Sequence, residues 1–188
     1  MAINICVSTS EWVVVNKRNS SGEENILVTS GLSGCVAVAV ESETQICLMH
    51  VLSSLLAKST TPEENKNVLR DIELPLVVMG DRGGSRPRRF TLVYNGGTDK
   101  PRAEAIETHL LTRFPALKGG RHLVSNGLRV RNAEAGEKEY VTTAVDLPKG
   151  YDWKECTGAM QGLAESKGVC IETWGKIGTE WVGNWERE

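Results

Sequence analysis

The stretch Thr29-Ser30-Gly31-Leu32-Ser33-Gly34-Cys35-Val36-Ala37-Val38-Ala39-Val40, followed by Glu41-Ser42-Glu43-Thr44 and Gln45-Ile46-Cys47-Leu48-Met49-His50, decides how this chain is read. After Cys35, Val and Ala alternate, and β-branched side chains at every second position suit a pleated strand better than a helix. Two such runs around a polar tetrad predict a β-hairpin, with a glycine-rich turn delivering Cys35 to the start of its first strand. Centred between Ser42 and Glu43 with an even-numbered loop, the hairpin pairs residue 40 with 45, 38 with 47 and Cys35 with His50. Directly opposed residues share a face of the sheet, so thiol and imidazole are expected to touch. A three-residue loop would put His50 opposite Gly34 or Val36 instead.

Outward from the hairpin, further short β segments are expected at Ala2 to Val7, Glu11 to Val15, Ile26 to Thr29, Leu74 to Met79, Arg89 to Tyr94, Arg121 to Ser125, Gly127 to Arg131, Tyr140 to Asp146, Val169 to Trp174 and Glu180 to Trp185. Gly, Asn, Ser and Pro clusters bound them. Three helices are predicted. Thr61-Pro62-Glu63-Glu64 starts a short one through about Arg70, Asp99 to Phe114 places Ala103, Ile106, Leu110 and Phe114 on one face, and Asp152 to Lys167 ends at Gly168. Strands interrupted by helices without strict alternation predict an α+β fold: layered, β-sandwich-like mixed sheets with flanking helices in a single domain over residues 1–188.

Composition narrows the function classes. The chain has 188 residues, 40% apolar and 24% charged, in the range of an ordinary packed domain. Lys plus Arg number 22 against 24 Asp plus Glu, so no overall basic field holds a phosphate backbone and nucleic acid is a poor partner. No apolar run approaches the roughly 20 residues of a spanning helix, and the first Lys or Arg is Lys17. A soluble chain with no membrane partner and no usual signal peptide is expected. The cysteines (Cys6, Cys35, Cys47, Cys156, Cys170) and the histidines (His50, His109, His122) are dispersed, with no C-x-x-C pair. Neither a disulfide framework, nor a metal centre, nor any cofactor is suggested.

Cys35 and His50 are therefore the candidate chemistry. A free thiol has a pKa of about 8.5 and imidazole about 6.5, and contact between them favours thiolate with imidazolium, a nucleophile and an acid together. Backbone N–H groups near Ser33, Gly34 and Cys35 are candidate oxyanion donors, since glycines let a substrate approach the chain closely. Thr29, six residues before Cys35, is the nearest polar side chain able to orient a ring nitrogen of His50. Cys47, between Ile46 and Leu48, reads as core. The structural alternative is that Cys35 is core as well, because cysteine is among the most buried residue types.

Leu32-Ser33-Gly34-Cys35, with Thr29 before it and His50 fifteen positions after Cys35, resembles the L-S-G-C signature of bacterial toxin glutamine deamidases, the catalytic domain of cytotoxic necrotizing factor and Burkholderia lethal factor. More distantly it is similar to the chemoreceptor glutamine deamidases, whose motif reads L-G-S-C; Asn95-Gly96-Gly97 before a helix resembles an element of those enzymes. The resemblance spans Thr29 to His50. It implies a hydrolase that converts a glutamine of a target protein, such as a host protein, to glutamate through a thioester on Cys35, with His50 and Thr29 completing the site. Transglutamination is the implied side reaction, and a secreted virulence effector acting in host cytosol the implied setting. Two other classes stay open: a cysteine peptidase or amidase using the same pair, and a non-enzymatic binding module presenting the basic segment Arg82 to Arg89. His109 and His122 read as structural or exposed, and Trp174, Trp181 and Trp185 as core.

Overall fold

In the computed structural model, residues 3–18, 20–56, 62–81, 86–125, 127–130, 140–141 and 171–178 are described. Six strands form one sheet in the order β10 (Ile171–Lys176), β2 (Glu11–Asn16), β5 (Gln45–Leu52), β4 (Cys35–Glu41), β6 (Arg89–Tyr94) and β7 (Lys118–Val124). Four more form a second sheet, β1 (Ile3–Cys6), β3 (Asn25–Ser30), β8 (Gly127–Val130) and β9 (Tyr140–Val141). Both are mixed, β1 with β3 and β6 with β7 being parallel pairs. Helices α1 (Pro62–Asp81) and α2 (Lys100–Arg113) flank the six-stranded sheet, which gives the expected α+β architecture.

Strand β4 shows how the layers are built. Its side chains alternate between two cores, as strand geometry requires. Val36, Val38 and Val40 pack with Val68, Ile72, Leu76 and Met79 of α1 and with Ala103, Ile106 and Leu110 of α2. Cys35, Ala37 and Ala39 face the other way, onto Leu27, Leu128 and Val130 of the four-stranded sheet. A strand covered on both sides reads as a continuous apolar run.

One predicted strand is a helix. Leu74 to Met79 forms the second half of α1, which continues to Asp81 rather than stopping near Arg70. The run looks β-like because it is apolar throughout, but its buried members Leu76 and Met79 continue the stripe of Val68 and Ile72 at helical spacing, while Val77 is 42% exposed. Pro75 sits inside this helix. The predicted helix 152–167 and strand 180–185, with Trp181, Trp185, Cys156 and Cys170, lie outside the described residues, as does most of 140–146 beyond β9.

Four features fix the frame of the fold. Glu41, at the end of β4, is buried between Lys17 (Nζ to Oε1, 2.6 Å) and Arg89 (Nε to Oε2, 2.8 Å). Burial pushes its carboxyl up, yet the two cations prevail and hold it below the usual carboxylate range. Arg88 pairs with Glu43 at 2.6 Å, so this end of the basic segment is tied to the hairpin tip. At the far edge Gly175 lies across from Trp12, where an added Cβ would come within 2.5 Å of the indole ring. His109 holds Glu73 at 2.6 Å and joins α2 to α1, a structural role.

Candidate functional site

Three strands carry the candidate residues, and the structure joins two of them: Thr29 is hydrogen-bonded to His50, whereas the expected contact between the Cys35 thiol and the His50 ring is not made. β3 carries Thr29, β4 begins at Cys35, and β5 carries His50. The hairpin turn is centred between Glu43 and Thr44, one residue later than expected: Ser42 N–H donates to the Gln45 carbonyl at 3.0 Å, and Gln45 N–H donates to Ser42 Oγ at 3.0 Å. This serine-stabilised closure shifts the register by two. Cys35 therefore pairs with Leu52, and His50 stands opposite Ala37 rather than Cys35. The parity of the shift preserves the facing, so Cys35 and His50 still look toward the four-stranded sheet, as diagonal rather than direct neighbours. Diagonal pairs are about 7–8 Å apart at the backbone, and the short Cys35 side chain does not span that distance to hydrogen-bond His50 Nε2.

His50 is 1% exposed, and its two ring nitrogens are in different situations. Thr29 Oγ1 lies 2.8 Å from Nδ1 and also donates to the Val7 carbonyl at 2.8 Å. Its one proton is thus committed to the carbonyl, so Nδ1 must be the donor to Thr29 and Nε2 carries the bare lone pair. Nε2 is fully buried and has no hydrogen-bond partner among the described residues. Burial pushes the imidazole pKa down to about 4, leaving the ring neutral at physiological pH.

Cys35 is 3% exposed beneath the turn Gly31–Gly34, where both glycines adopt positive φ, 72° and 75°, and Ser33 and Gly34 are exposed. Burial first, and the Asp99 carboxylate in smaller part, push the thiol up against the lowering influence of the Ser53 N–H. The resting pair is consequently thiol and neutral imidazole, not the thiolate and imidazolium expected from contact. The oxyanion expectation also changes. Cys35 N–H donates to the Leu32 carbonyl at 3.0 Å and so is occupied, while the Gly34 carbonyl accepts from Ser53 N–H at 3.0 Å.

No family model matches the chain, and no curated protein matches it.

Two buried carboxylates near the site were not singled out from the sequence. Glu11, 4% exposed, stands directly opposite His50 on β2, and its Oε2 accepts from Ser8 N–H at 3.3 Å. Asp99, 2% exposed, precedes α2 and acts electrostatically on Cys35. An Asp ahead of a helix reads as a cap, which hides any second use. Cys47 faces the helices, on the opposite side of the sheet from Cys35, in keeping with a core role. His122 bonds to Glu107 at 2.8 Å and lies 3.4 Å from the Tyr94 hydroxyl, away from His50 in the register. Among the described residues no group of three or more His, Cys, Asp or Glu is placed to hold a metal ion, and no helix is long and apolar enough to cross a membrane.

Proposed function

We propose that Cys35, His50 and Thr29 are the catalytic group of a protein glutamine deamidase. The observation that carries this reading is the bare Nε2 of His50. A buried nitrogen without a partner costs about 1–3 kcal/mol, and a histidine whose tautomer is fixed by a second hydrogen bond is the arrangement of a general base. The resemblance of Thr29 to His50 to the L-S-G-C deamidases points to the same three residues.

Because both groups rest neutral, the chemistry begins with proton transfer. As the Cys35 sulfur attacks the carboxamide carbon, Nε2 takes the thiol proton and passes it to the leaving nitrogen, which departs as ammonia. Nε2 then takes a proton from water attacking the thioester. The C–S bond breaks, the proton returns to sulfur, and a glutamate side chain is released. The sum is carboxamide plus water to carboxylic acid plus ammonia. Thr29 keeps the imidazole proton on Nδ1 throughout, and the exposed residues Ser33 and Gly34 lie where substrate arrives. Since Cys35 and His50 are both buried, the Gly31–Gly34 turn has to swing outward to admit a glutamine side chain.

Ammonia release and glutamine-to-glutamate mass changes in a treated proteome, compared between wild type and Cys35→Ser, test the proposal. Loss of both in the variant supports it, and equal activity overturns it. Cleavage fragments instead of mass changes would indicate the peptidase or amidase class. The burial of Cys35 favours a second reading, a non-enzymatic module with a core cysteine, for which neither ammonia nor fragments form.

A further inference from the structure

Asp99 is a residue used against its usual purpose. It occupies the N-cap of α2, where an Asp side chain normally accepts from the first free N–H groups of the helix. Here no such side-chain hydrogen bond is made. The carboxylate is turned inward, 2% exposed, and its Oδ2 is fully buried with no partner among the described residues. Among the described residues Oδ1 has only Arg102 Nη1 at 3.5 Å, a guanidinium nitrogen already donating to the Thr98 carbonyl at 2.7 Å. A buried carboxylate oxygen with neither cap nor firm ion pair is costly and calls for a reason.

Its location supplies one. The pairing of Val36 with Tyr94 runs β4 and β6 side by side, so the residues before Cys35 and those after Tyr94 leave the sheet at the same edge. The loop Asn95–Asp99, bent by Gly96 at φ 105°, leaves β6 at the end of the sheet where the Gly31–Gly34 turn leads into β4. Asp99 is near enough to bear on the Cys35 thiol electrostatically. An ionised carboxylate only accepts hydrogen bonds, and a primary carboxamide presents two N–H donors.

We infer that Asp99 is a substrate-binding residue of this site, its Oδ2 accepting a hydrogen bond from the NH2 group of the carboxamide that Cys35 attacks. The inference rests on the deamidase reading and adds a selectivity to it. The same oxygen repels the carboxylate that the reaction creates, so glutamine is held and glutamate is turned away.

Iodoacetamide and iodoacetate test this without requiring turnover. Both alkylate a thiol with loss of iodide and differ by carboxamide against carboxylate. Rates of Cys35 labelling in the intact native chain, followed by mass spectrometry of the Cys35 peptide, are compared with those of glutathione. In the wild type the iodoacetamide to iodoacetate ratio should exceed that of glutathione by at least about tenfold, the scale of one nearby charge at intermediate dielectric. Asp99→Asn, close in shape, and Asp99→Ser, which retains a capping side chain, should bring it to within about twofold of glutathione. An unchanged ratio in a folded variant, a wild-type ratio equal to that of glutathione, or a Cys35 that neither reagent reaches would overturn the inference. A high, Asp99-dependent ratio with no ammonia release from any protein would leave Asp99 as a carboxamide-recognising residue and remove the deamidase reading alone.

Discussion

The Thr29 hydroxyl sits between His50 Nδ1 and the Val7 carbonyl oxygen, 2.8 Å from each. That single hydroxyl links two strands and the segment leaving a third, since Val7 follows β1, Thr29 is in β3 and His50 is in β5. Orientation of the imidazole is thereby a property of how the two sheets are stacked.

Replacing Thr29 by Val keeps the shape and removes the acceptor. The buried Nδ1–H is then unsatisfied, and chemical denaturation should show a loss of about 1–3 kcal/mol. Ammonia release should fall about 100-fold, within the range that general acid–base catalysis contributes. Thr29→Ser, which restores the hydroxyl, should recover most of both. A Thr29→Val protein as stable and active as wild type would remove the orienting role.

The depressed pKa of His50 fixes the sign of a stability dependence. In the unfolded chain the ring binds a proton near pH 6.5, whereas in the folded protein it does so only near about 4. Between those values the unfolded state holds more protons, so stability rises with pH. The contribution is complete above pH 6.5 and is lost as pH falls toward 4, a change on the order of 3 kcal/mol at about 1.4 kcal/mol per pKa unit. Glu41 is held below its usual range and loses stability in the same direction on acidification, so the comparison is with His50→Gln. Urea titrations from pH 7 to 4 should show a shallower decline in that variant; parallel curves would contradict the burial of a neutral ring.

Much of this fold is legible in the sequence because its strands are short and sharply bounded. Cys35–Glu41 and Arg89–Tyr94 have the predicted limits, since turn residues stand at both ends of each. Leu74–Met79 misleads because a helix lying on a core and a strand buried on both faces show the same apolar run, and only the link back to Val68 and Ile72 separates them. Thr29 is singled out in the sequence as the nearest polar side chain able to orient His50, and the structure makes that contact. The hairpin register is not legible, because it depends on the Ser42 hydroxyl closing the turn one residue later. Asp99 is hidden because its type and place suit an ordinary cap.

Glu41→Gln should be severe. It leaves Lys17, whose side chain is 9% exposed, with its charge buried and its ionic partner gone. Breaking a buried pair from one side costs about 3–5 kcal/mol, whereas replacing both members by apolar groups often costs far less. Guanidinium melts of Glu41→Gln and of the double variant Lys17→Met with Glu41→Met should place the double variant as the more stable. The reverse order would mean that Lys17 escapes to solvent.

Gly175→Ala sets a methyl against the Trp12 ring, whose side chain is wholly buried in the core. Overpacking of this kind costs about 1–3 kcal/mol. A thermal melt should show the loss, with Trp12→Phe in the Gly175→Ala background recovering part of it by yielding space. Equal melting of Gly175→Ala and wild type would show that β10 separates from β2 there without penalty.

The opposition of Ala37 to His50 carries a consequence beyond this molecule. Facing the helices, β4 presents valines; facing the other sheet it presents alanines, and one of them stands across from the imidazole. The space for the ring is lent by its neighbour. In any lineage descended from this hairpin the two positions should drift as a unit: where the histidine persists, residue 37 stays small, and where the histidine gives way to a lesser side chain, residue 37 is free to grow. A branch carrying a bulky residue at 37 and no histidine at 50 would record, in its genome alone, the ancestor at which the proposed site was lost while the fold was kept.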